Sequence, residues 1–219
     1  MKQTIITLLC LLAFTSSQAQ IEKGSNAITI NAGLGFNRAS DPNQSNNLFR
    51  INVQPVFEHF IARNLSLGAG INGGFQFGND DYKVSPYSYK ANSYAQTYGL
   101  SLQLKKYWFM NPQIGLTLSP QLSSTYYEYN NSTEYTTNTN TYNYNYWYHS
   151  AMLNFGAVYF VKSNIAIEAQ TNFVNYSYYP GSPSYNNNER HVFSVLAFQS
   201  SLMVGVKFIL GNNKPSLTP

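Results

Sequence analysis

The chain has 219 residues, of which only 10% are charged, and a net charge of +4 with no basic cluster larger than Lys105-Lys106. A soluble globular protein carries about 25% charged residues, and a nucleic-acid binder concentrates its basic groups, so both classes fit poorly and no nucleic-acid partner is expected. Nineteen tyrosines and fourteen phenylalanines stand beside a single cysteine, Cys10, which excludes disulfides and cysteine metal sites from anything downstream.

The first segment, MKQTIITLLCLLAFTSSQAQ, has the form of a signal peptide: Lys2, an apolar stretch from Ile5 to Phe14, then the small-x-small pattern Ser17-Gln18-Ala19. The apolar stretch is too short to span a bilayer, which takes about 20 residues as a helix. The expected division is therefore a signal peptide at 1–19 and a single β-barrel domain at 20–219, with strands over about 27–210 and a short tail at 211–219.

Eight segments then alternate apolar with small or polar residues, the period of a strand with two unlike faces. The first is Ala27–Asn37 and the second Leu48–Glu58, whose Pro55 marks an edge or bulge because proline lacks a ladder donor. The third, Leu65–Phe77, sets Leu65, Leu67, Ile71, Phe75 and Phe77 against Ser66, Gly68, Gly70, Asn72, Gly74 and Gln76. Ser93–Phe109, Gln113–Tyr129, Tyr144–Phe160, Ile165–Val174 and about His191–Leu210 follow. Short turns are expected near Ile61–Asn64, Met110–Pro112 and Lys162–Asn164, and long polar connections at 38–47, 79–92, 130–143 and 178–190. Strict alternation of short and long connections predicts an all-β fold, an eight-stranded antiparallel up-and-down transmembrane barrel. Phe57, Trp108, Phe109, Tyr159 and Phe208 near the short turns would form one interfacial girdle. Phe36, Phe49, Phe75, Tyr94, Tyr126 and Trp147 near the long connections would form the other.

The endings and strands SQAQ, INAGLGF, FIARNLSLGAG, LSLGAGINGGF and SLMVGVKFIL resemble the small OmpA/OmpX-like outer-membrane β-barrel proteins of gram-negative bacteria. The resemblance spans the chain after the leader. It implies residence in the bacterial outer membrane as a monomer, with outer-membrane lipid, lipopolysaccharide and the barrel-assembly machinery as partners. In that family the last strand commonly ends the chain on an aromatic residue, whereas here Phe208 is followed by ILGNNKPSLTP.

Chemistry is sparse. No metal and no cofactor is expected. An eight-stranded barrel leaves a lumen that side chains can fill, and Glu58, Lys105, Glu168 and Lys207 share one level on the inner face. The expected pairs are Glu168 with Lys207 on neighbouring strands and Glu58 with Lys105 across the third strand, with Arg50 higher among Gln54, Asn72 and Gln121. Glycines such as Gly68 and Gly70 leave a narrow water-filled channel as the competing reading. The Tyr- and Asn-rich stretch bearing Tyr135, Tyr142, Tyr144, Tyr146 and Trp147 has paratope-like composition. It reads equally as a surface-binding loop for an external ligand or as strand extensions with tyrosines paired across strands. His149 and His191, with Glu128, Glu189 and nearby serines, carry the enzyme alternative of a rim-located lipid-modifying enzyme or protease, against the plainer reading as interfacial polar residues. The function expected is that of a non-enzymatic barrel, structural or binding through four long external loops.

Overall fold

The computed structural model describes residues 21–41, 44–84, 87–135, 139–181, 188–195 and 202–210. The expected signal peptide and the tail at 211–219 lie outside them. Antiparallel strands run β1 Asn26–Asp41, β2 Gln44–Ala62, β3 Leu65–Val84, β4 Tyr87–Phe109, β5 Ile114–Tyr135, β6 Thr139–Lys162, β7 Ile165–Tyr179, β8 Arg190–Val195 and β9 Met203–Leu210. Each pairs with the next from β1 to β7. Then β8 pairs with the upper part of β7, and β9 bridges the lower part of β7 to β1, closing the ring. Since β8 and β9 occupy one place beside β7, the ring has eight positions. It has no free edge along its lower half, which is the condition for backbone polar groups to sit in hydrocarbon.

The two faces separate as the period-two pattern requires. Leu34, Phe36, Ile71, Leu100 and Leu122 are each more than 60% exposed on the outside, while Thr29, Asn31, Gln54, Ser66, Ser101, Gln103 and Thr117 are buried inside. An apolar outer band around a polar interior is stable only with lipid against the band. The small inner residues follow from close packing. A Cβ at Gly70 would lie 2.9 Å from both Pro55 O and Val56 Cγ2 and 3.0 Å from Ser101 Oγ, whereas one at the outward Gly73 meets nothing within 4 Å. Gly70→Val should therefore destabilise the barrel by about 1–3 kcal/mol, the usual cost of overpacking, and Gly73→Val should leave it unchanged. Urea unfolding of both variants in detergent micelles checks this, and equal effects would contradict the assignment of faces.

Three expectations are corrected. The polar stretches 38–47, 79–92 and 130–143 are not loops: strands continue through them, leaving only 42–43, 85–86 and 136–138 outside the described residues. A crossing strand needs about 9–11 residues, so β3 to β6, with 20, 23, 22 and 24 residues, rise well beyond the bilayer as a tall wall. Tyrosine and threonine favour strands, and paired rings such as Tyr82–Tyr89 at 5.1 Å supply cross-strand contacts that a compositional reading of the loop overlooks. Pro55 makes neither an edge nor a bulge. It sits opposite Ile30 in unbroken register, and its cost is a gap in the β2–β3 ladder between Val53–Gly73 and Val56–Gly70. The bulge falls instead at Phe60/Ala62. Phe109, expected in the lower girdle, turns inward and is 7% exposed, whereas Phe57, Trp108, Tyr159 and Phe208 face outward.

The short-turn end is packed with aromatic rings. Phe60, Tyr107, Phe109 and Phe160 form a chain of rings inside it, with successive centroids 5.7, 6.3 and 5.7 Å apart. Ile21 is fully buried against them. The segment Ile21–Ser25 is strapped across this end: Ile21 N donates to Asn64 Oδ1 at 2.8 Å, Asn64 N to Ile21 O at 3.0 Å, Gly24 N to Phe60 O at 2.8 Å and Phe60 N to Ser25 O at 2.9 Å. Asn64 holds φ 56° in the turn before β3, a left-handed conformation that asparagine tolerates better than most residues.

Candidate functional site

Above the ring layer the lumen narrows to a cluster of four charges. Glu58 from β2, Lys105 from β4, Glu168 from β7 and Lys207 from β9 are all at most 2% exposed. Glu58 is the most fully satisfied: its Oε1 accepts from Lys207 Nζ at 2.6 Å and Thr29 Oγ1 at 2.9 Å. Its Oε2 accepts from Ser66 Oγ at 2.7 Å and Tyr107 OH at 2.8 Å. Lys105 Nζ donates to Glu168 Oε2 at 3.1 Å. The cross pairs are longer, Lys207–Glu168 at 3.5 Å and Lys105–Glu58 at 3.9 Å. Lys207 Nζ also lies 4.8 Å above the Tyr107 ring and bonds its hydroxyl.

The structure thus brings the four expected residues together and keeps both expected pairs as ion pairs, at 3.5 and 3.9 Å. The shorter contacts run instead between Glu58 and Lys207 and between Lys105 and Glu168. Glu168 stands opposite Gly205 and Lys207 opposite Ala166, so these two are diagonal neighbours on adjacent strands. Heads that all point at the centre of a narrow lumen bond across it more readily than along the wall. Two carboxylates and two ammonium groups balance in charge, as burial demands.

Arg50 stands higher. Its Nε donates to Gln76 Oε1 at 2.8 Å, and it shares with Gln54, Asn72 and Gln121 a cavity of about 600 Å³ that continues upward between the strands. The walls mix amides and hydroxyls with Val53, Met152 and Met203, and several of the polar groups are already bonded: Gln54 to Ser101 at 3.1 Å, Gln121 to Asn154 at 2.9 Å, Ser123 to Ser150 at 2.7 Å. At the top, Tyr127, Tyr146, Tyr148 and Tyr179 close in on it from the tall wall and β7.

The residues expected to form a surface loop divide. Tyr144 and Tyr146 belong to a ladder on the inner face, where Tyr129–Tyr144 lie 4.7 Å and Tyr127–Tyr146 5.0 Å apart, each pair directly opposite across β5 and β6. Tyr135 sits beside Tyr89 at 5.8 Å near the tip of the wall. Trp147 points outward against Tyr126 at 5.4 Å, and Tyr142 is exposed. Alternation at Tyr127, Tyr129 and at Tyr144, Tyr146, Tyr148 was the signal for the ladder. Inward parity at Phe60, Tyr107, Phe109 and Phe160 was the signal for the ring layer.

His149 and His191 flank Tyr178 in one row on the outer surface, stacked on it at 6.3 and 5.0 Å. His191 Nδ1 lies 2.7 Å from Tyr176 OH. Both rings are thus held by phenols on the outside of the barrel, an interfacial position rather than a pocket. Among the described residues no group of three histidines, cysteines or acids is placed to hold a metal.

A closed ring of antiparallel strands with an apolar outer band and polar groups inside is the architecture of a membrane-spanning β-barrel of the outer-membrane type. No protein-family model and no curated protein matches the sequence. Among solved structures the chain is similar to Neisserial surface protein A, at 14% identity over 85% of this chain and 97% of that one with a TM-score of 0.36. It is also similar to a major outer membrane protein from Thermus thermophilus, at 14% identity over 84% and 99% with a TM-score of 0.44. The attachment invasion locus protein of Yersinia pestis is similar at 12% identity over 86% and 99%, with a TM-score of 0.30.

Proposed function

We propose that this chain is a non-enzymatic outer-membrane barrel whose lumen is a dead-end cup, closed at the periplasmic end and open to the outside for binding. The observation that carries this reading is the doubled floor, in which the charge cluster lies directly on the Phe60–Tyr107–Phe109–Phe160 layer and the Ile21–Ser25 strap. Four bonded charges and four packed rings stand in succession across the lumen, and water and ions need a continuous path to cross. The cavity above is of mixed polarity, roomy and bordered by tyrosine rings, which suits recognition rather than bulk flow. On this reading the lipid-facing band holds outer-membrane lipid and lipopolysaccharide, the assembly machinery inserts the chain as a monomer, and an external ligand enters from the wall side.

Planar-bilayer recording of the full-length mature chain tests the cup. The expected result is a silent bilayer with no stable conductance level at neutral pH. A large, stable open level in the unmodified protein would refute it.

A further inference from the structure

We infer that the cup binds a neutral, hydroxyl-rich ligand, a short oligosaccharide segment, which it holds between the tyrosine ladder and the amide lining of β2, β3 and β7. This rests on the dead-end reading of the lumen and names what would occupy it.

The chemistry of the lining selects the class. Among the described residues, no carboxylate borders the cavity, and its single cation, Arg50, has its Nε engaged by Gln76. A cationic ligand would lose its water without gaining a counter-charge, and a polyanion would find one guanidinium, so charged ligands are disfavoured. A purely apolar ligand would strand the buried amides that face the same space, at a cost for each. Hydroxyl-rich rings match both halves of the wall. Amides and hydroxyls exchange hydrogen bonds with the ligand as they do with water, and phenol rings cover its C–H faces and edges. Two acceptors in the lining stand ready. Asn172 Oδ1 and Asn175 Oδ1 are buried without a hydrogen-bond partner among the described residues, and both residues border the cavity. Buried acceptors of this kind call for a donor from water or from a ligand.

The ladder is ordered in advance. Tyr127, Tyr146, Tyr148 and Tyr179 hold one another at 5.0–6.3 Å, so contact with them freezes few rotamers. At about 600 Å³ the space lies within the roughly 300–1,000 Å³ usual for small-molecule sites, and in the proposed orientation it faces the cell exterior, where polysaccharide is available.

The test uses the mature barrel refolded in an amine-oxide detergent, because a sugar-headed detergent would itself occupy the cup. Maltotetraose, cellotetraose and chitotetraose are titrated calorimetrically, with a tetramer of a hexuronic acid and spermidine as charged probes. At least one neutral tetramer is expected to bind. Tyr127→Ala and Tyr146→Ala should each weaken it by about tenfold, a loss of about 1.4 kcal/mol, while Trp147→Ala on the outer face should leave it unchanged. Heat-modifiable gel migration establishes that each variant is folded, and Tyr146→Phe keeps the ring should the alanine variant fail. Absence of binding by all three neutral tetramers would overturn the inference, as would tighter binding of a charged probe or an equal loss in Trp147→Ala. A non-conducting protein that ignores neutral sugars sinks this inference alone. A conducting one sinks the cup beneath it.

Discussion

Replacing Lys207 by methionine should destabilise the barrel more than any other single change of charge in the lumen, by roughly 3–5 kcal/mol. The stem of the side chain is kept, so the loss is electrostatic rather than a cavity. Lys207 Nζ is the closest cation to Glu58, at 2.6 Å, and lies 3.5 Å from Glu168. Without it two buried carboxylates face Lys105 alone, whose distances are 3.1 Å to Glu168 and 3.9 Å to Glu58. Glu58 keeps its hydroxyl donors Thr29, Ser66 and Tyr107 but loses its nearest counter-charge, leaving one net buried negative charge in the cluster, and an uncompensated buried ion costs several kcal/mol. The double variant Lys207→Met with Glu58→Gln removes one charge of each sign and should recover much of the loss. Non-additivity of this kind is what a double-mutant cycle detects. Urea unfolding of the two single variants and the double in micelles provides the cycle. Additive losses would show that the cluster does not act as a unit.

That the cluster exists was legible because four charged residues on inward-parity positions share a level, and only a lumen can accommodate them together. Which pairs are shortest was not legible, since it depends on how far Lys105 and Lys207 reach across the ring rather than on strand adjacency. The wall was left open between two readings for a different reason, and the strand extensions with paired tyrosines are the one the structure has. Residues 130–143 look like a loop by composition, yet Tyr129 stands opposite Tyr144 and Thr133 opposite Asn140 in an unbroken register. Pairing of this kind depends on the partner strand and is invisible in the composition of one segment. The strap was hidden for a third reason: Ile21 lies before the first alternating segment, and its anchor, Asn64, lies 43 residues on.

Conductance should appear in Tyr107→Ala and stay absent in Phe109→Ala. The two neighbours differ in how many layers of the floor they belong to. Phe109 packs in the apolar layer, its ring 6.3 Å from Tyr107 and 5.7 Å from Phe160, and makes no bond to the charge cluster among the described residues. Its loss opens a space in the lower layer and leaves the four charges above intact. Tyr107 belongs to both layers. Its ring packs on Phe60 at 5.7 Å, its hydroxyl donates to Glu58 Oε2 at 2.8 Å, and Lys207 rests over its face. Truncating it opens the ring layer and at the same time removes a donor from Glu58 and a support from Lys207, so both barriers loosen along one line. Each alanine variant should cost roughly 3–5 kcal/mol of stability, the usual range for a buried aromatic truncated to alanine, so similar destabilisation cannot account for a difference in conductance. Tyr107→Phe, which keeps the ring and loses the hydroxyl, should remain silent or show only brief openings. Planar-bilayer recordings on variants shown to be folded by heat-modifiable migration decide the matter. A silent, folded Tyr107→Ala, or equal conductance in Phe109→Ala, would mean that the two layers are not in series and that another part of the lumen closes the cup.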